Sequence, residues 1–369
     1  MKRRSFLTGA GTGLGAAALA APAMAQGSSE SRLAEVEWQL ASSYPRSLDT
    51  IYGAIEMIAA RVAEVTEGRF RIQPSPPNAV VPAMQVLDAV GSGAVPCGQT
   101  AAYFYIDKDP TFCFDTGMPF GLNTRQQAAW MTHGGGLELM RDFYRGHNVT
   151  MLPAGNTGAQ MGGWFRKEIR TVEDLKGIRM RIGGLAGQIL ATLGVQPVQM
   201  GGGDIRPALE LGAIDAAEFV GPYDDERLGL HRVAKYYYYP GWWEGAAQIP
   251  LFVNLDAWAA LPRPFQAALE QACAEAQSWM LAKYDALNAA ALRRLVAAGV
   301  VLKPFPREVM DACYEAAFAL YDDIAAGNPR FKRVYDAWSS FRDEEYLWFR
   351  VAEASFDSFV YGAAARRKA

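Results

Sequence analysis

The sequence predicts an α/β protein with largely parallel sheets. Segments with the alternating pattern of β-strands, at residues 36–41 and 70–73, flank a segment at 48–66 whose apolar residues recur at helical spacing. The chain has 369 residues, half of them apolar, so it is long enough for two domains of ordinary size. Strands that alternate with helices form parallel sheets, and such sheets bind ligands at the carboxyl ends of their strands.

Residues 1–25 have the order of a cleavable export signal. A basic start is followed by a small, apolar run and by the sequence Ala23-Met24-Ala25. The pair Arg3-Arg4 indicates the twin-arginine route, so we expect a soluble periplasmic protein that begins near Gln26. Without this segment the formal charge changes from −3 to −6, which argues against a nucleic-acid partner. No later apolar run approaches the roughly twenty residues that cross a bilayer.

Side chains suited to ligand binding follow two of the predicted strands. Three hydroxyl residues at 42–44 come directly after the first strand, and a later strand at 95–105 ends in an aromatic cluster. Because both positions lie at carboxyl ends of strands, Ser43, Tyr103 and Tyr105 are candidate ligand-binding residues. Their alternative role, as ordinary turn and core residues, stays open at this point.

A glycine-rich segment at residues 152–165 follows a predicted helix at 127–145. It contains Asn156 and Gln160, which are neutral hydrogen-bond donors and acceptors placed where the backbone can approach a ligand closely. The segment matches neither the dinucleotide-binding nor the phosphate-loop pattern, so we do not expect a nucleotide ligand.

The run at residues 177–184 predicts a short strand with one apolar and one cationic face. Arg179 and Arg181 alternate with apolar residues, and glycines close the run at both ends. A guanidinium in such a place is suited to binding a carboxylate through two parallel hydrogen bonds. The alternative is that both arginines are solvated on an edge strand, which charged residues often protect.

Two glutamates stand in apolar surroundings. Glu218 lies in a predicted strand at residues 212–222, and Glu244 follows six aromatic residues at 236–243. Burying a carboxylate is costly unless it is paired or hydrogen-bonded. If both acids meet Arg181 in one cleft, a bound cation is needed to accommodate an anionic ligand, and an all-oxygen shell suits Na⁺, Ca²⁺ or Mg²⁺. Alternatively, Glu218 pairs with an unrelated cation and Glu244 faces water.

The last third of the chain is predicted to be mainly helical. A strand at 248–254 precedes long helices at 264–298, 308–326 and 328–361, which are of the kind that brace two lobes or pack against another subunit.

The four cysteines are far apart in sequence, which argues against a structural zinc site. A Cys273–Cys313 bridge is one arrangement, but spacing does not determine disulfide pairing. The three histidines lie outside the candidate site and no nucleophile–base pair is visible, so no catalytic residue is predicted.

Several of these segments resemble the periplasmic solute receptors of tripartite ATP-independent periplasmic (TRAP) transporters, the DctP-type family. The resemblance rests on long strings at residues 41–43, 108–112, 155–158, 162–166, 202–205, 221–226 and 236–244. It is strongest to the branch that binds 2-oxo acids. The resemblance implies a two-lobed clamshell that closes over a carboxylate, with residues 30–150 and 213–248 in lobe I, residues 151–212 and 249–327 in lobe II, and residues 328–369 forming a long helical segment that exchanges in a homodimer.

The same resemblance implies roles for individual residues. Arg181 would bind the ligand carboxylate, and a metal cation, Na⁺ or Ca²⁺, would be held by Gln160, Glu218, the carbonyl of Phe219 and Glu244. Phe219 departs from the family pattern, where we expect tryptophan, and this leaves the shape of the pocket open.

The function implied is a receptor for a small 2-oxo or 2-hydroxy monocarboxylate, of the pyruvate or lactate type, that delivers its ligand to TRAP membrane subunits. The alternatives are another organic acid such as a C4-dicarboxylate, a metal-dependent 2-oxo-acid lyase, and a sensory receptor.

Overall fold

The computed structural model describes residues 35–368. The predicted export signal at residues 1–25 and the predicted start near Gln26 lie outside the described residues. In the described part of the chain, no helix has both the length and the apolar character needed to span a membrane.

Strands and helices alternate along the first two thirds of the described chain, and helices dominate the last third. The strands are β1 (Val36–Ser42), β2 (Phe70–Ser75), β3 (Cys97–Gln99), β4 (Val149–Asn156), β5 (Trp164–Phe165), β6 (Arg179–Arg181), β7 (Gln196–Val198), β8 (Ala216–Ala217), β9 (Tyr236–Tyr239), β10 (Gln248–Asn254) and β11 (Val301–Pro304). The helices are α1 (Ile51–Val65), α2 (Val86–Gly91), α3 (Cys113–Thr116), α4 (Thr124–Thr132), α5 (Gly136–Arg145), α6 (Gly184–Thr192), α7 (Gly202–Glu210), α8 (Pro222–Leu228), α9 (Leu255–Ala260), α10 (Arg263–Ala297), α11 (Arg307–Gly327), α12 (Pro329–Phe349) and α13 (Ser355–Lys368), with a π-helical turn at Arg350–Ala354 between the last two.

The strands form two mixed sheets. The first has the order β2-β1-β3-β10-β4, in which β10 runs antiparallel to both neighbours. The second has the order β11-β9-β5-β8-β6-β7, in which β5 runs antiparallel to both neighbours. The predicted α/β class with mixed sheets and long C-terminal helices is confirmed.

The chain crosses between the sheets at other points than expected. We expected residues 213–248 to accompany the first lobe and residues 249–327 the second, but β8 and β9 lie in the second sheet and β10 lies in the first. The centre of β10 is buried on both faces between β3 and β4, with Leu251, Phe252 and Val253 inaccessible to solvent. Strand partners are distant in sequence, so the local pattern does not show which sheet a strand joins.

Three predicted elements have different limits in the structure. The strand expected at 95–105 is ordered as a strand only over β3, and its aromatic end forms a 3₁₀ turn at Ala102–Tyr105. The strand expected at 212–222 is reduced to β8. The helix expected at 127–145 is two helices, because Gly135 has a left-handed backbone (φ of 80°) that ends one helix before the next begins.

The long helix α10 packs against β4 and α1.

All four cysteines are buried free thiols. The Cys273–Cys313 bridge considered from the sequence is therefore absent from this structure.

Candidate functional site

Arg181 is the centre of the candidate site. It lies on β6, an inner strand between β8 and β7, and its side chain is 1% exposed. Its Nη1 donates to the Glu218 backbone carbonyl (2.8 Å) and to the Glu218 carboxylate, and its Nε donates to the Met200 carbonyl (3.2 Å). Nη2 has no acceptor among residues 35–368, so this donor remains available to a ligand. The alternative of a solvated arginine on an edge strand is excluded for Arg181.

Arg179 does not reach the site. Its guanidinium is paired with Asp215 at 2.8 Å, and both side chains are more than a third exposed. The two arginines of the predicted cationic face therefore have different roles, one at the protein surface and one in the interior.

Glu218 contacts Arg181, and Glu244 lies close enough for its charge to act on Arg181. Glu218 follows β8, its side chain is 1% exposed, and its backbone N–H donates to the Arg181 carbonyl (3.0 Å). The Glu244 side chain is 6% exposed, and the charge of Glu218 acts on its carboxylate. The alternative in which Glu244 faces water is excluded, because its side chain is buried.

Backbone pairing places Gln160 beside Glu244. The Gln160 N–H donates to the Glu244 carbonyl (3.1 Å), and the Gly241 N–H donates to the Gln160 carbonyl (3.1 Å). A Cβ on Gly241 would lie 2.6 Å from that carbonyl oxygen, so the close approach requires glycine. The amide of Gln160 donates to the Thr157 hydroxyl (3.1 Å), which leaves its oxygen for another partner.

Three oxygen atoms of this site are buried without a hydrogen-bond partner. They are Oε1 of Gln160, Oε2 of Glu218 and Oε2 of Glu244. A buried acceptor without a partner costs about 1–3 kcal/mol, and more when it is charged. Three unsatisfied oxygens, one from an amide and two from carboxylates, fit a hard cation, for which carboxylate, amide and carbonyl oxygens are the preferred ligands. Residues 35–368 contain no group of three or more His, Cys, Asp or Glu side chains arranged for a metal, so a cation held here would need amide or carbonyl oxygens as well.

A narrow cavity opens onto Arg181. It is lined in part by Tyr44, Tyr103, Thr157, Gln160 and Phe219, and it has room for about one water molecule. The guanidinium carbon of Arg181 lies 5.6 Å from the centre of the Phe219 ring. Ligand entry therefore requires the walls of the cavity to separate.

The comparisons with known proteins show the family of this chain. A model of bacterial extracellular solute-binding proteins of family 7, DctP, matches residues 41–328. The chain belongs to this family. A monocarboxylate 2-oxoacid-binding periplasmic protein of Nostoc is 48% identical over 361 residues, which cover 98% of this chain and 99% of that protein. The family binds solutes, which agrees with the prediction of a binding protein.

Two solved structures of TRAP solute-binding proteins are similar to this DctP-family chain. The protein from Bordetella bronchiseptica is 49% identical, with a TM-score of 0.89 over 90% of this chain and 99% of that chain; it is a mixed-occupancy dimer, with copurified calcium and picolinate in one site and the other site apo. The protein from Pseudoalteromonas atlantica is 36% identical, with a TM-score of 0.85 over 88% of this chain and 99% of that chain, and it holds sodium and pyruvate. The predicted family and clamshell fold are confirmed.

Three of the predicted ligand-binding residues do not line the cavity of this DctP-family chain. The Ser43 hydroxyl donates to the Ala83 carbonyl (2.5 Å) and accepts from the Thr100 hydroxyl (2.7 Å), and the Tyr105 hydroxyl accepts from the Leu87 N–H (3.0 Å). The Asn156 side-chain oxygen accepts from the Gly158 N–H (2.9 Å), which shapes the turn before Gln160. These side chains make hydrogen bonds to neighbouring groups of the protein.

Two lining residues with hydroxyl groups, Tyr44 and Thr157, were not among the predicted ones. Tyr44 follows Ser43 at the end of β1, and its hydroxyl pKa is raised by burial and then by the charge of Glu244. Thr157 follows Asn156 in the glycine-rich segment. The hydroxyl run at 42–44 pointed to the correct strand end, but the alternation of side chains there could not be read from a segment that leaves the strand.

Burial governs the ionisation of the two glutamates. It raises the pKa of Glu218 to about 7, with Arg181 opposing the rise. Burial and then the charge of Glu218 raise the pKa of Glu244 well above its usual range, with Arg181 and the Tyr103 hydroxyl opposing. A cation between the two carboxylates would favour their ionised forms.

These shifts predict a pH-dependent stability. Because Glu218 and Glu244 bind a proton more tightly in the folded than in the unfolded chain, the free energy of unfolding of the cation-free protein should fall as the pH rises from about 4.5 to about 7. Buried Asp115, whose pKa burial raises to about 7, acts in the same direction. We expect thermal melts in chelator to show a lower Tm at pH 8 than at pH 5, and saturating Ca²⁺ to reduce the difference. A Tm in chelator that rises over this interval would contradict the prediction.

Proposed function

We propose that the chain is the periplasmic receptor of a TRAP transporter and binds a small 2-oxo or 2-hydroxy monocarboxylate, of the pyruvate or lactate type, together with Na⁺ or Ca²⁺. The observation that carries the proposal is buried Arg181 close to three buried oxygens without a hydrogen-bond partner, those of Gln160, Glu218 and Glu244. The ligands of the solved relatives support it, because calcium or sodium accompanies a small carboxylate in each.

Different residues bind the anionic ligand and the cation. Arg181 binds the ligand carboxylate, and the carboxylates of Glu218 and Glu244, the amide oxygen of Gln160 and the carbonyl of Phe219 hold the cation. The bound cation supplies positive charge that the ligand's carboxylate and 2-oxo or 2-hydroxy oxygen can share. The formal charges of two glutamates, one arginine and a monocarboxylate sum to −2, so a divalent cation neutralises the site. Closure removes these charges from water and strengthens their attraction.

The lining of the cavity favours a monocarboxylate over a C4-dicarboxylate. Arg181 is the one cationic side chain among the lining residues in the described part of the chain. A second ligand carboxylate would therefore be buried without a cationic partner, beside Glu218 and Glu244. The family match favours a receptor over a lyase.

A ligand screen by thermal shift and calorimetry tests the function. Pyruvate, lactate and succinate would each be titrated in Ca²⁺, Na⁺ or chelator, and pyruvate would be assayed for turnover. We expect pyruvate or lactate to raise the Tm in Ca²⁺ or Na⁺ and much less in chelator, and succinate to have little effect. The proposal would be contradicted by a Tm increase that does not depend on the cation, by tighter binding of succinate than of pyruvate or lactate, or by consumption of pyruvate.

Gly183 lies directly against the Tyr103 ring, so we expect that a side chain at position 183 would impair ligand binding. A Cβ on Gly183 would lie 2.3 Å from Cε2 of Tyr103, although the Gly183 backbone (φ −97°) suits any residue. Gly183→Ala should therefore hold the turn away from the Tyr103 ring and weaken pyruvate binding about tenfold or more, measured by calorimetry. Gly203→Ala on α7 is the matched control, since its Cβ would meet nothing within 4 Å. Equal affinities of the two variants would count against this contact.

We also propose that the chain forms a homodimer through its C-terminal helices. Leu347 (68%), Phe356 (65%), Phe359 (70%) and Tyr361 (70%) expose large apolar side chains in this segment, an exposure typical of interaction surfaces. The Bordetella bronchiseptica relative is a dimer. Light scattering at micromolar concentration should give a dimer mass for the whole chain and a monomer mass for a chain ending at residue 349. A monomer mass for both would contradict the proposal.

Export by the twin-arginine route is the last part of the proposed function. Changing Arg3 and Arg4 to lysine should retain the precursor in the cytoplasm, and unchanged export would contradict this route.

A further inference from the structure

Asp225, on α8, lies behind the candidate site and makes three hydrogen bonds there. Its side chain is 1% exposed. Oδ2 accepts from Nε1 of Trp164 (2.9 Å) and from the Tyr237 hydroxyl (2.6 Å), and Oδ1 accepts from the Val220 N–H (3.3 Å). The Trp164 and Tyr237 rings stack with centroids 3.9 Å apart. This carboxylate therefore ties Val220 to two stacked side chains on β5 and β9.

The neighbouring backbone is held from other directions. The Arg181 Nη1 donates to the Glu218 carbonyl (2.8 Å), and the Met161 N–H donates to the Val220 carbonyl (3.0 Å). A Cβ on Gly163 would lie 2.8 Å from the Ala217 carbonyl, which shows how closely this loop covers the segment. Among residues 35–368, the Phe219 carbonyl between these two bonds has no hydrogen-bond donor.

The Phe219 carbonyl and the Val220 N–H belong to one peptide unit. That unit is planar and trans, so its C=O and N–H point in opposite directions. An acceptor that fixes the Val220 N–H on one side therefore aims the Phe219 oxygen to the other side. We infer that Asp225 is a positioning residue, which orients the Phe219 carbonyl toward the cation through this shared peptide plane; the inference rests on the proposed function, in which that carbonyl is a cation ligand.

Asp224 offers a matched comparison. It is adjacent in sequence and buried, but its carboxylate accepts from the Tyr284 hydroxyl on α10 and makes no hydrogen bond to residues 218–220. Replacing either aspartate by asparagine removes one buried negative charge. Only Asp225→Asn also disturbs the acceptor of the Val220 N–H. The single amide oxygen of asparagine cannot accept from all three donors, and its NH₂ group would face at least one of these donors.

The experiment compares wild type, Asp225→Asn and Asp224→Asn in two measurements. Hydrogen exchange of the cation-free protein should be faster at the Val220 amide in Asp225→Asn alone. Ca²⁺ titrations in the presence of pyruvate should show binding about ten- to hundredfold weaker in Asp225→Asn, the range for groups that orient metal ligands, and within about threefold of wild type in Asp224→Asn. The preference for Ca²⁺ over Na⁺ should also fall in Asp225→Asn, which a general loss of stability would not cause.

The outcomes separate this inference from the proposed function. A wild-type protein that binds pyruvate without regard to Ca²⁺ or Na⁺ contradicts the proposed function itself. A wild type that responds to Ca²⁺, together with equal Ca²⁺ affinities in the two asparagine variants, overturns the role of Asp225 alone. If Asp225→Asn does not fold, Tyr237→Phe removes one donor to the same carboxylate without a change of charge. Val220 exchange and Ca²⁺ affinity that both stay at wild-type values in that variant also overturn the inference.

Discussion

Pyruvate binding should weaken at least about a hundredfold in Arg181→Lys and stay near wild type in Arg179→Lys. The Arg181 guanidinium satisfies Glu218 and Met200 with two of its nitrogens and still has Nη2 for a ligand carboxylate. A lysine has one compact ammonium group that cannot reproduce the hydrogen bonds of the planar guanidinium. The buried Glu218 carboxylate would then be poorly paired. A hundredfold loss corresponds to about 2.7 kcal/mol, within the range for hydrogen bonds to charged groups.

Arg179→Lys is a closely matched control for this variant. It changes the same residue type on the same strand, but its partner Asp215 is at the surface and more than a third exposed. Calorimetry with pyruvate in Ca²⁺ measures both affinities, and circular dichroism establishes that both variants are folded. Full affinity in Arg181→Lys would remove this residue from the site.

Glu244→Gln should weaken Ca²⁺-dependent pyruvate binding about tenfold or more, and higher Ca²⁺ should restore part of it. The substitution keeps one oxygen but replaces the other, which has no partner in the structure, by an NH₂ group that repels a cation. Because Gln160 and Glu218 remain, the cation site is weakened and not abolished. The loss should therefore appear as a shift of the Ca²⁺ titration to higher concentration.

The control for Glu244 is Glu226→Gln. Glu226 is paired with Arg294 near the surface and makes no contact with Arg181 or Gln160. Its Ca²⁺ titration should match wild type. A Glu244→Gln protein whose pyruvate affinity falls equally at all Ca²⁺ concentrations would show that Glu244 does not hold the cation.

The charged members of the candidate site could be predicted from the sequence because buried charge is rare and needs a partner. Arg181, Glu218 and Glu244 each stand out as a charge in an apolar, glycine-flanked segment, and the structure brings them together. Neutral lining residues carry no comparable signal. The sequence therefore predicts Ser43 and Asn156 in place of their neighbours Tyr44 and Thr157, which do line the cavity.

The sequence by itself determined the class of elements, the DctP family and the three unusual charges that need partners. These follow from periodicity, from long matching strings and from the cost of burying a carboxylate or a guanidinium. Only the tertiary structure decided which sheet β8, β9 and β10 join, which hydroxyls line the cavity, and that the Val220 N–H donates to Asp225. These features depend on contacts between residues that are far apart in the chain, and such contacts are selected by the packing of the whole molecule and not by any local pattern.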